Sequence, residues 1–107
     1  TAVVRPVGIE DQEVPREFAL HQNYPNPFNP TTTIPFDIAK AGDVEITVYD
    51  VIGRRVLRAD QGALTPGRYR AAFNLSHLAS GVYVYRIRVL GESRKLFEAV
   101  NKFVLVK

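Results

Sequence analysis

The chain has two histidines, His21 and His77, and no cysteine among its 107 residues. Acid–base or nucleophilic catalysis needs a nucleophile, a base and something that positions both. Each histidine instead stands alone in a polar, turn-like stretch, and no thiol is present to attack a substrate or bind a metal. Asp37, Asp43, Glu45 and Asp50 are the candidate oxygen ligands, but Ca²⁺ wants roughly six to eight oxygens converging on it. Asp37 and Glu45 fall on outward strand positions, and Asp43 and Asp50 fall at strand ends. That spacing matches no loop that wraps an ion. Neither a GxxxxGK[ST] phosphate loop nor an HExxH zinc motif occurs. The residues predict no enzyme, no cofactor and no metal site.

Aromatic and basic residues raise the question of a binding surface. Tyr24, Phe28 and Tyr49 are candidates for an exposed platform on which a sugar could stack, as in an accessory carbohydrate-binding module of a secreted hydrolase. Tyr83 and Tyr85 share a strand face with Ile87 and Val89, which favours packing over binding. The net charge of +3 is unevenly spread: residues 1 to 49 hold three basic and seven acidic side chains, residues 50 to 107 eleven and four. Such asymmetry can mark an anionic partner. Yet Arg68, Arg70, Arg86 and Arg88 alternate with apolar residues, as the wet face of an antiparallel sheet does. The expectation is a solvated face and no nucleic-acid partner.

The elements that would carry these residues are strands. Apolar residues make up 46% of the chain, a globular composition, and no apolar run is long enough to span a bilayer as a helix. TTTIPFDI puts Ile34, Phe36 and Ile38 on one face. Pro35 cannot donate to a ladder, so this strand is expected at an edge or with a bulge. DVEITVYD alternates cleanly, Asp50 to Gly53 form a turn, and RRVLRA returns as the hairpin partner. RYRAAFNL follows the Thr65-Pro66-Gly67 turn, and VYVYRIRVL is the strongest strand. LFEAV and KFVLV pair back, with a bulge or bend expected at Asn101 and Lys102. Gly53, Gly62, Gly67, Gly81 and Gly91 all have turn explanations. About seven short strands separated by turns, with no helical period, predict an all-β, immunoglobulin-like antiparallel sandwich.

Residues 1 to 13 mix charge, Pro and Gly without a sustained period and are assigned as a linker from a preceding domain, with a stretch that has the composition of an edge strand. The chain opens on Thr1 rather than Met, which points to a piece of a longer protein. Residues 14 to 107 form the domain. Its entry, NYPNPFNPTTT at 23 to 33, suits neither helix nor ordinary strand. Pro25, Pro27 and Pro30 fix their own φ and restrict Tyr24, Asn26 and Asn29. The segment reads as a stiff strap, with Tyr24 and Phe28 as its anchors and asparagines holding its corners through nearby backbone groups.

Several of these stretches occur together in one family. VPREFALHQNYPNPFNPTTTIPFDI, VEITVYDVIGRRV, LTPGRY, LASGVYVYRI and NKFVLVK resemble, in that order, the C-terminal sorting domains of the type IX secretion system. The resemblance covers about residues 14 to 107 and implies an immunoglobulin-like domain that addresses a larger exported cargo across the outer membrane. It implies transit through the periplasm, then a place at the cell surface or outside the cell. The partners implied are the translocon and a sortase-like signal protease, that is, outer-membrane machinery rather than lipid. Pro25 and Pro27 match the proline motif, Gly81 and Tyr83 the glycine-x-tyrosine motif, and Lys102 and Lys107 the terminal basic motif. The stretch ESRKLFEAV looks longer than the family's usual hairpin. A passive immunoglobulin-like spacer is the other reading. The apolar edge strand KFVLV could pair with a second copy as a homodimer.

Overall fold

A computed structural model describes residues 2–6 and 14–107. Eight strands follow in chain order: β1 (Ala2–Pro6), β2 (Ala19–Leu20), β3 (Thr31–Ile38), β4 (Gly42–Tyr49), β5 (Arg55–Leu64), β6 (Gly67–Asn74), β7 (Gly81–Leu90) and β8 (Lys95–Leu105). They form two antiparallel four-stranded sheets, ordered β1-β6-β3-β2 and β5-β4-β7-β8. The expected sandwich is thus present, with a two-residue β2 as the eighth element. β1 lies within the segment assigned as linker and pairs with β6 from Ala2↔Phe73 to Pro6↔Tyr69. The rest of that assignment, residues 1 and 7 to 13, lies outside the described residues.

The period-two pattern decides which side chains meet between the sheets. Ile34, Phe36 and Ile38 from β3 and Tyr69, Ala71 and Phe73 from β6 face Val44, Ile46 and Val48 from β4 and Tyr85, Ile87 and Val89 from β7, all buried. Phe36 stacks on Tyr69 at 5.7 Å, and Phe103 of β8 stacks on Tyr85 at 5.3 Å. With no cysteine in the chain, the core depends on these aliphatic and aromatic contacts.

Three local expectations need refining. Pro35 sits in an unbroken register between β3 and β6, opposite Arg70. Its carbonyl accepts the His21 amide at 3.0 Å, so its missing N–H lies on the β2 side, where the sheet is all but ended. β5 runs beyond the expected RRVLRA to Leu64, and Gly62 serves as a bulge glycine at φ +77 rather than a turn residue. The ladder slips by one residue there, between Val44 and Glu45. No bulge occurs at Asn101 and Lys102, which pair in register with Tyr85 and Val84. The ESRKLFEAV stretch extends the β7–β8 hairpin as paired strand, from Leu90↔Lys95 onward.

Two turns repeat one device. The Tyr69 hydroxyl donates to the Thr65 carbonyl at 2.8 Å, and the Tyr83 hydroxyl donates to the Ala79 carbonyl at 2.6 Å. Each tyrosine follows a glycine by two residues and reaches back four residues to tie down the corner entering its strand. A Cβ at Gly67 would stand 3.4 Å from the Tyr69 ring, an ordinary contact, so the corner rests on the hydroxyl bond rather than on the glycine. Tyr69→Phe and Tyr83→Phe should each lose about 0.5–1.5 kcal/mol in urea denaturation. Equal stability of either variant with the parent would show that its corner bond contributes nothing.

Candidate functional site

The strap begins where β2 ends. Tyr24 and Thr33 exchange backbone hydrogen bonds at 2.9 Å, which attaches the strap to the outer side of β3. From there the chain crosses to the other sheet. The Phe28 amide donates to the Val104 carbonyl at 3.0 Å, and the Val106 amide donates to the Phe28 carbonyl at 2.9 Å. The Asn26 side chain accepts the Val104 amide at 2.9 Å, and the Gln22 side chain donates to the Lys102 carbonyl at 3.0 Å. The strap therefore runs parallel to the end of β8 and closes its edge. Asn26 holds a residue far along the chain, not a neighbouring corner. The peptide bonds before Pro25, Pro27 and Pro30 are all cis.

Phe28 is 2% exposed, and its ring meets Phe103 edge-on at 4.9 Å. Beside it lies a buried polar network. The Tyr85 hydroxyl donates to the His21 carbonyl at 2.8 Å and accepts the Asn23 amide at 3.0 Å. The Asn23 side chain donates to Thr32 Oγ1 at 2.9 Å and to the Pro25 carbonyl at 3.2 Å; Thr32 Oγ1 donates to the same carbonyl at 3.0 Å. Asn23 and Thr32 are almost wholly buried, so these bonds replace the water both groups give up. Burial pushes the Tyr85 phenol above its ordinary pKa of 10.0, and the hydrogen bonds with Asn101 and Asn23 offset this only in part.

The six motif residues converge on this end of the sandwich. Pro25 and Pro27 flank the contact with Val104, while Gly81 pairs with Leu105 and Tyr83 with Phe103. Lys102 is exposed opposite Val84. The exposed Lys107 donates through its amide to Ser80 Oγ at 3.0 Å and through Nζ to the Ser76 carbonyl at 2.6 Å. Gln22, Val84, Val100, Asn101 and Lys102 line an open depression of about 340 Å³ on the outer side of β7 and β8. Nearby Val82 and Val106 are also exposed.

The aromatic platform is not formed. Phe28 is core, so it offers no face to a sugar, and Tyr24 is attached by its backbone with its side chain in water. Tyr49 lies on the other sheet, with the Arg86 guanidinium 5.3 Å from its ring centre. His21 Nε2 stands 3.1 Å from the Asp37 carboxylate. Among the described residues no three His, Asp or Glu side chains group to hold a metal ion.

The basic strand residues of the second sheet meet carboxylates. Glu45 lies 3.1 Å from Arg58 and 3.8 Å from Arg88, and Glu98 lies 3.4 Å from Arg86 with Lys95 beside it. The Lys95 hydrogen bond lowers the Glu98 pKa, partial burial opposes this, and the charges of Lys95, Arg86 and Arg88 add to the lowering. This is the solvated, charge-alternating face that the sequence pattern predicts. On the other sheet, Arg68 stands opposite Asp37.

An all-β sandwich whose strap closes the edge of its last strand defines a class of small all-β domains. Within that class, the model of the secretion system C-terminal sorting domain matches residues 22–103, and the chain belongs to this family, the sorting signals of type IX secretion. No curated sequence is similar enough to count as a relative. The crystal structure of CopC from Methylosinus trichosporium OB3b superposes with a TM-score of 0.54 at 20% identity, over 83% of this chain and 93% of that one, a likeness of fold alone. Part of the β-glucuronidase of Parabacteroides merdae gives 0.49 at 14% identity, over 95% of this chain and 13% of that one.

Two outcomes follow from the geometry. Phe28→Ala should cost about 3–5 kcal/mol, whereas Tyr24→Ala should stay within about 0.5 kcal/mol, both by chemical denaturation. Similar losses would contradict the separation of anchor from exposed ring. The phenol of Tyr85 is held neutral in the fold, so its contribution is complete below the unfolded value of 10.0 and is lost as pH rises through the higher folded value. Stability measured on going above about pH 10 should therefore fall, and Tyr85→Phe should flatten that fall. An unchanged slope in the variant would contradict the assignment.

Proposed function

We propose that the chain is an address read as a folded surface, and that the surface lies where the strap, the start of β7 and the end of β8 meet. The observation that carries this is the parallel bridge from Phe28 to Leu105, which joins motifs about 75 residues apart into one end of the sandwich. Pro25, Pro27, Lys102 and Lys107 supply its outer part, and Gly81 and Tyr83 set the strand that supports it. The family is one of sorting signals and not of enzymes. We assign no catalytic activity and no cofactor to the domain itself.

Type IX export brings the cargo to the cell surface or the extracellular space, and the domain interacts with the export machinery. The finer course is transit through the periplasm, passage of the folded domain to the translocon, and removal by a sortase-like protease. The sorting domain comprises residues 14–107 with β1 added at the edge of its first sheet, so the linker assignment is withdrawn for Ala2–Pro6. Cleavage falls ahead of residue 18, since exposed polar linkers are preferred sites of proteolysis. The cargo is then anchored at the surface or released. A homodimer through KFVLV meets an obstacle, because the edge groups of Val104 and Val106 are already bonded to the strap. Pairing with a second copy would have to use the β8 edge upstream, around Glu98 and Val100.

The test is a secretion assay in a bacterium with type IX machinery, using a periplasm-targeted fluorescent protein fused to residues 1 to 107. Deleting NKFVLVK would remove the buried Phe103 and Leu105 along with the lysines, so substitution is the cleaner probe. The parent fusion should appear outside the cell. Lys102→Ala with Lys107→Ala should cut export several-fold while the melting temperature stays within a few degrees. Retention of the folded parent fusion in the periplasm would defeat the reading.

A further inference from the structure

The turn between β4 and β5 puts two large aliphatic side chains into water. Val51 is 74% exposed and Ile52 71%, more than any other large apolar side chain among the described residues. Single exposed aliphatics are ordinary on a protein surface. These two are adjacent, and their backbone is held by five hydrogen bonds around Asp50. Its Oδ1 accepts the amides of Ile52 at 3.1 Å and Arg54 at 2.9 Å, and its Oδ2 accepts Arg54 Nε at 2.8 Å. The Asp50 amide donates to the Arg54 carbonyl at 2.9 Å, and the Gly53 amide donates to the Asp50 carbonyl at 3.0 Å. Gly53 takes φ +88, which a side chain would resist. Asp50 and Gly53 do the work of reversing the chain, which leaves the two positions between them open to any polar residue. They are Val and Ile.

The surroundings are basic. Arg54 and Arg55 follow the tip and are exposed, and the cross-strand row behind it reads Arg55, Tyr49, Val84, Lys102. The strand carboxylates of this sheet stand further back: Asp60, Glu45 and Glu98 share a row four residues back along β4, and Asp43 lies two residues beyond it. Within the second sheet, the tip is therefore an apolar projection whose carboxylate, Asp50, is paired with Arg54 and whose rim carries the exposed Arg55. It lies at the same end as the exposed Val82 and Lys102, continuous with the surface assigned above.

We propose that Val51 and Ile52 form a preorganised plug that enters an apolar pocket, rimmed by acidic side chains, on a protein of the export machinery. This rests on the sorting role and assigns to it a contact separate from the strap and the terminal strand. A rigid turn loses little freedom on docking, so a small apolar contact can yield useful affinity. Charge complementarity selects an acidic rim over a basic one. A lipid surface would reward total apolar area and many cations. Here there are two side chains, and the Arg54 charge is already engaged by Asp50.

The experiment uses the full chain fused to the periplasm-targeted reporter, with Val51→Ser/Ile52→Ser, Arg55→Glu and Arg55→Lys variants. The untagged chain also serves as a periplasmic competitor against a second, unaltered reporter. Export of the double variant should fall about ten-fold or more with unchanged melting, as expected for a hot spot. Arg55→Glu should reduce export several-fold, Arg55→Lys should retain most of it, and the double variant should lose the power to compete. Equal export and equal competition by the double variant would overturn the proposal while leaving the sorting role intact. Failure of the parent reporter to leave the periplasm would overturn both. Binding of the parent chain to phosphatidylglycerol vesicles, lost in the double variant, would put lipid in place of the protein pocket and would also overturn it.

Discussion

The ring of Phe103 is the contact on which the rest depends. It is buried among Phe28, Tyr83 and Tyr85, at centre-to-centre distances of 4.9, 6.0 and 5.3 Å. Phe28 belongs to the strap, Phe103 to the last strand and the tyrosines to β7, so one aromatic cluster fixes three separate motifs relative to one another. Apolar burial is non-directional by itself. The hydrogen bonds of Phe28 and Asn26 with Val104 and Val106 supply the register. The terminal segment is thus part of the sandwich and not an extended tail, and whatever reads it meets a shaped surface.

This arrangement reconciles two demands on an edge strand. An open edge with an apolar sequence is a template for unwanted pairing. The strap occupies the edge at the end of β8, while Lys102, Val104 and Val106 keep their side chains at or near the surface. Backbone groups are hidden and side chains are displayed, so recognition need not compete with aggregation. The other half of the same sheet face is different in kind. Its ion pairs between Arg58, Glu45 and Arg88, and between Arg86 and Glu98, keep that region wet and nearly balanced in charge. Exposed pairs of this sort contribute little to stability. Their effect is to leave the apolar and basic residues concentrated at one end.

Strands β3, β4, β6 and β7 were legible because alternation with period two is a local property, and each inward residue announced itself by its neighbours. The order of the motifs made the family legible as well. What escaped the sequence is long-range. Asn23 reads as one more polar residue before a proline cluster; only the fold brings its amide to the Tyr85 hydroxyl, 62 residues away. Phe28 sits in turn-like composition, and nothing local distinguishes a buried ring from a sugar-binding one there. Gly62 looks like a turn glycine until the pairing of Val44 and Glu45 requires an extra residue opposite them. The edge-strand composition of β1 was legible, but its partner, β6, was not. The glycine-x-tyrosine repeat at Gly67 and Gly81 was visible all along, but its meaning lay in a bond to a carbonyl four residues upstream.

The central claim is that the last strand is sealed into the core by the strap. Amide hydrogen exchange of Val104 and Val106 in the folded chain tests it most directly, compared with the core amide of Ile46. The account predicts that all three exchange in one cooperative opening with nearly the same free energy. Fast exchange at Val104 and Val106 while Ile46 stays protected would show the terminal strand detaching on its own, and would contradict the account.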